Sequence, residues 1–341
     1  MFRSLPTSCF VLSLMAAALA PSHRALAWGA TGHEYVSGLA AEALPDELPA
    51  FVRAPAAAAS IAAFGRELDR SKGSGDPHDA ERDPGHYVHI DDNGLIAGSL
   101  SLEALPATRE AYDTALRARG TTQYQAGYLP YAIVEGWQQL VKDFAYWRAA
   151  SVGARTALTA DDRAWFDADR LRREGLIIRD LGVWSHYDGD ASQPQHVSIH
   201  ANGWGPYPNP RGFTNSKTTR VDFQSTFVRA HIERAAVKRE MAPYRACTCS
   251  IWDRVRALLL ESRGAIVPFF ELEKAGAFAG DAKAGIAFTN VRLAAGASAV
   301  RDMVIDAWRA SPDMNVGYPR IDLRDIEAGK HILKKDDFGI D

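Results

Sequence analysis

Cysteine is scarce in this chain, with three residues in 341, at positions 9, 247 and 249. That excludes a small scaffold stapled by disulfides. Cys247 and Cys249 could pair, but a Cys-x-Cys ring is tight and disulfide geometry is demanding; such a pair reads as structural or incidental rather than catalytic. Long apolar runs are lacking as well. Phe10 to Ala20 is too short to span a bilayer, and no later run reaches about 18 residues, so no membrane span is expected. Positive charge is not in excess: 39 Lys and Arg face 42 Asp and Glu, a net of −3. This argues against binding nucleic acid through a broad basic face. A phosphate-bearing substrate would need positive charge from a local source, and a metal is one. Alternating strand-like runs are few and short, and no repeat of fixed period occurs. What the chain does have is 47% apolar residues, enough to bury a core and to exclude general disorder.

Residues 1–27 read as a secretory signal. Arg3 supplies the positive start, Phe10 to Ala20 the apolar centre, and Ala25-Leu26-Ala27 a small-x-small cleavage site. Taking these 27 residues from 341 leaves 314, beginning at Trp28. Arg3 and Arg24 leave with the signal, so the net charge moves from −3 to −5. A periplasmic or secreted protein is expected, in one domain covering 28–341.

Apolar residues recur at helical spacing over 33–43, 54–68, 107–118, 126–151, 161–190, 218–238, 250–272 and 283–309. The expected fold class is all-α, a single domain of packed helices. Three polar stretches interrupt the pattern: 69–85, rich in Gly, Pro and charge; 201–217, with Trp204, Tyr207 and Phe213 among Gly, Pro and Asn; and a weakly periodic tail from 311. Such loops are where sites tend to sit.

The densest group of potential ligands is His186-Tyr-Asp-Gly-Asp190-Ala-Ser-Gln-Pro-Gln-His196. His186 and Asp190 are four apart, so a helix puts them on one face, about 6 Å apart, as two ligands of one ion require. Pro194 should end that helix and turn His196 back toward it. Imidazole with carboxylate suits zinc; taken alone, the same residues fit a helix-face His–Asp pair and an unrelated loop histidine. A second group is Trp28-Gly-Ala-Thr-Gly-His33. Cleavage before Trp28 would free an α-amino group that can chelate a metal with the Trp28 carbonyl, with His33 adding a third ligand. The plainer reading is a buried Trp and a surface His. A third group is Asp83-Pro-Gly-His86-Tyr-Val-His89-Ile-Asp91-Asp92, with Asp69 upstream. Either His86 or His89 could ligate, and a solvated extended segment explains them equally well.

Taken together, these motifs resemble the superfamily of fungal single-strand zinc nucleases of the S-one/P-one type and bacterial zinc phospholipases C. The likeness is carried by His186, Gly189, Asp190, Gln193, Pro194 and His196, by the Trp-Gly-x-x-Gly-His string at Trp28, and by His86-Tyr87. These motifs are scattered over residues 28–224 in the family's order and spacing. The resemblance implies an all-helical, exported phosphodiester hydrolase with a cleft holding up to three zinc ions. It implies one zinc on Asp69, His86, His186 and Asp190, with His89 a rival for His86 and Glu67 or Asp76 for Asp69. It implies a second on the Trp28 amino and carbonyl groups, His33 and a bridging Asp190. Asp190 would let two cations acidify one water together, and Asp69 would orient that water or take its proton.

For the third zinc, His196 fills the first family position. The later pair falls on Arg220 and Gln224, which are poor ligands, so two zinc ions are expected and the third site is doubtful. His200 is the best local substitute. Arg220 in that place would contact a phosphate oxygen. The expected substrate is a phosphodiester, single-stranded nucleic acid or nucleotides, with Trp204, Tyr207 or Phe213 as stacking platforms; the plainer reading is that these aromatics pin a long loop. A monomer is expected. The alternatives are a phospholipase C-like lipid phosphodiesterase, or a non-catalytic relative that keeps the fold and some metal.

Overall fold

The computed structural model describes residues 28–339. The expected signal over 1–27 lies outside the described residues. The protein is mostly helical, as the periodicity requires. Its principal helices are α1 (Ala30–Glu42), α2 (Pro55–Phe64), α3 (Leu129–Thr156), α4 (Ala160–Ser192), α5 (Ile251–Gly264) and α6 (Lys283–Ala310). Among the described residues, strands are confined to two short antiparallel pairs, Leu95–Ile96 with Leu100–Ser101 and Asn315–Val316 with Ile321–Asp322.

Local chemistry explains where the long helices begin and stop. Pro130 sits in the first turn of α3, where a missing N–H leaves no bond unmade. Thr159 caps α4, its hydroxyl accepting from the Asp162 N–H at 3.0 Å, and Asp161 and Asp162 complement the helix dipole. Residues 157–159 therefore fold α3 and α4 back on one another as a helical hairpin. At its other end α4 stops at Ser192, and Pro194 opens a 3-10 turn, Pro194–His196. Ser250 and Asp253 form a reciprocal capping box at the start of α5.

α1 lies against α2, α4 and α6, and α6 packs on both arms of the hairpin. Leu39, Ile61, Phe144, Leu181, Leu293 and Val300 are among the fully enclosed side chains of the main core. A smaller cluster forms at the turn end of the hairpin, where Ala149 and Phe166 meet Leu323, Ile326 and Leu333. The stretch from 311, expected as a polar tail, is thus docked rather than loose. Its few apolar residues are too irregularly spaced to announce a helix face, yet these three are fully buried.

Four expected helices are interrupted. The 54–68 segment breaks at Gly65 and Arg66, between Pro55–Phe64 and Glu67–Ser71. The 126–151 segment starts at Leu129, because Gly127 takes a left-handed φ of 83°. The 250–272 segment breaks at Ala265. The 218–238 segment falls into pieces: Thr219–Val221, a π turn over Asp222–Phe227, Val228–His231 and then Arg234–Glu240. Cys247 and Cys249 are joined by a disulfide in the exposed segment ahead of α5, with Cα atoms 5.1 Å apart.

Candidate metal centre

Five separate pieces of chain meet at the C-terminal end of α4. His186 and Asp190 project from its last turns and His33 from the first turns of α1. Asp69 comes from the short helix Glu67–Ser71, His86 from the 3-10 turn Asp83–His86, and His196 from the turn after Pro194. All but Asp69 are fully or almost fully buried, and the Asp69 side chain is only 8% exposed.

Asp190 stands at the centre. Its Oδ2 lies 2.9 Å from His86 Nδ1 and 3.3 Å from His186 Nε2. Its Oδ1 faces the other way, 3.6 Å from His33 Nε2 and 3.7 Å from His196 Nδ1. His186 Nε2 is 3.0 Å from His86 Nδ1 and 3.7 Å from Asp69 Oδ1, and His33 Nε2 is 3.9 Å from Asp69 Oδ2. The donors form two triads that share His186: His33, Asp69 and His186, and His86, His186 and Asp190. Ligand atoms held about 2.0–2.1 Å from one tetrahedral ion are themselves about 3.3 Å apart. The observed separations bracket that value.

The arrangement leaves buried polar atoms without hydrogen bonds. Both ring nitrogens of His33, both oxygens of Asp69 and Asp190 Oδ1 lack an aligned hydrogen bond, and of these Asp69 Oδ1 has an ion pair with Lys72. Orphaned groups of this kind cost free energy unless something satisfies them, and a divalent cation fits the chemistry of the set. Protonation fits too. Burial, with help from His186, holds the His33 pKa well below the usual histidine range; burial and Lys72 bring His86 to about 4, and burial brings His196 to about 4. These rings are neutral at pH 7, as ligands must be. Burial works against ionising Asp69, but His186, Lys72 and His33 overcome it and carry the carboxyl down to about 2. Asp190 is ionised for the same kind of reason, with His186 and His196 outweighing burial. His186 runs the other way: burial lowers its pKa, and Asp190 and Asp69 more than restore it, so it is the ring that carries a proton most readily.

Neighbouring groups hold these side chains in place. His186 Nδ1 donates to the Gly65 carbonyl at 2.7 Å, which aims Nε2 at the carboxylates. His196 Nδ1 donates to the His86 carbonyl at 2.7 Å, and its Nε2 is 3.3 Å from Gln224 Oε1. His33 stacks on His186 with ring centres 3.7 Å apart. That stacking depends on Gly189, where an added Cβ would lie 2.9 Å from His33 Nδ1.

Most of the expected residues converge here. His33, Asp69, His86, His186 and Asp190 form the centre, and His196 flanks it. His86 rather than His89 is the member, since His89 stacks on Tyr87 outside the cluster. Trp28 is fully buried just ahead of α1, its indole donating to Ser192 Oγ at 3.0 Å; the Gly29 N–H bonds the Gln224 carbonyl. Arg220 and Gln224 are buried beside His196, and Arg220's charge acts on Asp190, Asp69 and His196.

Two expectations need correction. Trp204 and Phe213 are 6% and 4% exposed and pack together against Phe270, while Trp204 stacks on His200 and donates to the Pro208 carbonyl. They pin the loop and are closed to a stacking substrate. Only Tyr207 of the three, at 38%, is open. His200 cannot stand in for the missing ligands, because its two nitrogens bond the Trp204 carbonyl and Asp92.

Lys72 was missed by the sequence reading. Its ammonium lies 2.6 Å from Asp69 Oδ1 with only 8% of its side chain exposed. The Asp-x-x-Lys spacing within one helical turn was its signal, hidden in a charged Gly/Pro stretch that reads as solvated. Asp188 was missed too: both its oxygens are buried without a partner.

Among the described residues no helix is long and apolar enough to cross a membrane. Set beside known proteins, the chain matches no family model, no curated protein and no solved structure.

Proposed function

We propose that this protein is an exported, zinc-dependent phosphodiester hydrolase that acts on single-stranded nucleic acid or nucleotides. The observation that carries the reading is Asp190, whose two oxygens address different histidines inside a cluster of orphaned donors. The resemblance of the His186–His196 string to zinc nucleases and phospholipases C supplies the reaction class and the finer fold assignment. Residues 1–27 support export to the periplasm or beyond.

A mixed set of imidazole and carboxylate donors suits zinc. Asp69, His86, His186 and Asp190 would hold one ion; His33, Asp190 and the main chain at Trp28 would hold a second. Zinc at these sites supplies Lewis acidity, which makes an attacking water more acidic and offsets charge on phosphate oxygens. The chain does the rest. Asp69 is ionised, and although Lys72 pairs with its Oδ1, its Oδ2 has no aligned hydrogen bond and can orient a water and accept its proton. Lys72 and Arg220 add fixed positive charge around the same place, stabilising charge that grows on phosphate oxygens.

A second reading, a non-catalytic phosphate-binding relative, is favoured by Arg220 and Gln224 standing where a third ion would need ligands. One experiment separates the two. Zinc per chain is measured in protein cleaved before Trp28, and hydrolysis of a single-stranded oligonucleotide and of a phosphatidylcholine is assayed beside His186→Ala. The hydrolase reading expects about two zinc ions per chain, as bridged two-metal sites hold, and oligonucleotide cleavage lost in the variant. Cleavage of the lipid alone moves the substrate to phospholipid. Bound zinc without turnover of either, or turnover that survives in His186→Ala, sinks the hydrolase.

A further inference from the structure

Arg220 is a buried cation with nothing to hold. It is 9% exposed, its Nε is enclosed without an acceptor, and no hydrogen bond or ion pair joins its guanidinium to any described residue. Other buried arginines here are fully engaged. Arg292 bonds the Ser192 carbonyl, Glu261 and Ser262, and Arg301 bonds Asp302 and the Ala242 carbonyl. Asp190 and Asp69 act on it only through space, and a buried charge without a direct partner is costly, so its persistence points to an anion that completes it.

Arg220 forms part of the wall of a cavity of about 740 Å³, with Tyr87, His89, Tyr207, Lys217 and Thr218 also in its wall. No acidic residue contributes to that wall. Burial and Arg220 hold His89 near pKa 4, so the positive charge at pH 7 comes from Arg220 and Lys217. The volume falls within the range of about 300–1,000 Å³ that suits small organic ligands. Tyr207, the open aromatic of the 201–217 loop, also lines the cavity, and an aromatic ring is what a nucleobase stacks on.

We infer that this cavity is a nucleotide subsite in which Arg220 forks the oxygens of a phosphate and Tyr207 carries the base. A guanidinium matches phosphate in a planar, two-bond geometry that an ammonium cannot reproduce. The inference deepens the hydrolase reading and rests on it for the bond that is cut, but its test uses no metal. It also explains why Arg220 is tolerated next to the histidines: its charge serves the substrate rather than the fold.

The test is calorimetric titration of the chelator-stripped full chain with adenosine 5′-monophosphate, inorganic phosphate and adenosine. The monophosphate should bind, adenosine should bind far more weakly, and Arg220→Gln should weaken the monophosphate by about tenfold or more. Arg220→Lys should keep part of the affinity. Tyr207→Ala should weaken the monophosphate and leave inorganic phosphate unchanged. Without ligand, Arg220→Gln should melt no lower than the parent, and added phosphate should raise the melting temperature of the parent alone. Undiminished binding to Arg220→Gln, adenosine binding as tightly as its monophosphate, or no binding at all overturns the inference. So does a lower melting point of unliganded Arg220→Gln, which would show a structural role. Arg220-dependent binding in a protein that hydrolyses nothing when loaded with zinc would sink the hydrolase and spare the subsite; hydrolysis with Arg220-independent binding would do the reverse.

Discussion

Gly189 shows how much one missing methyl group can decide. Alanine is the better helix former by roughly 0.5–1 kcal/mol, yet its Cβ would lie 2.9 Å from His33 Nδ1. Gly189→Ala should therefore leave the fold standing and push His33 off its stacked position. The expected result is a drop of tenfold or so in zinc affinity, the scale of losing a ligand's support, with little change in melting temperature; unchanged zinc affinity would show that α1 simply shifts. Asp188, one residue away, is a different case. Its carboxyl is buried without a partner, and burial lifts its pKa well above the ordinary value. Unfolded, the group titrates near 3.9. Between those two values the folded state holds a proton that the unfolded state has released, so stability falls as pH rises through that window. Asp188→Asn should raise stability at pH 7.5, the gain fading below about pH 4. Denaturant melts at the two pH values decide it, and a loss at pH 7.5 would mean Asp188 has a partner.

Helices were legible where they are long and periodic. The 161–190 pattern became α4 nearly intact, because a threonine cap at one end and Pro194 at the other say where it starts and stops. Thr159→Ala should cost about 1 kcal/mol by removing the cap hydrogen bond, read as a lower urea midpoint with unaltered zinc content; no change in midpoint would mean that the docked C-terminal segment alone holds the hairpin. The 218–238 pattern was less legible. Its π turn sets Gln224 against both Gly29 and Gln193, a tertiary arrangement with no local signature. The 201–217 aromatics illustrate the same limit. Composition places Trp204, Tyr207 and Phe213 in one loop, but only packing on Phe270 separates the two that are buried from the one that is open.

Over the whole molecule, the metal centre and the C-terminal docking cluster sit at opposite ends of α4, roughly 30 Å apart by helix rise between Phe166 and His186. They should behave independently. Leu323→Ala, at a fully buried position, should cost about 2–4 kcal/mol and leave zinc binding untouched; lost zinc would show coupling along the helix. Chelation should act at the other end. A ligand that binds only the folded state stabilises it by mass action, so the zinc-loaded parent should melt higher than the stripped protein. His186→Ala, which removes a ligand of one of the two proposed sites, should show a clearly smaller difference, and a parent indifferent to chelator would mean that the histidines are not a metal site.

The sequence alone determined the helical class, the rough course of the long helices and most members of the centre, since periodicity, caps and the i, i+4 pairing of His186 with Asp190 are all local properties of a chain. It did not determine which of His86 and His89 turns inward, that Lys72 sits against Asp69, or that Arg220 is left without a partner. Those depend on how five pieces of chain, from Trp28 to Gln224, close around the end of α4. Contact between residues so far apart is decided by packing, and packing exists only in the folded molecule.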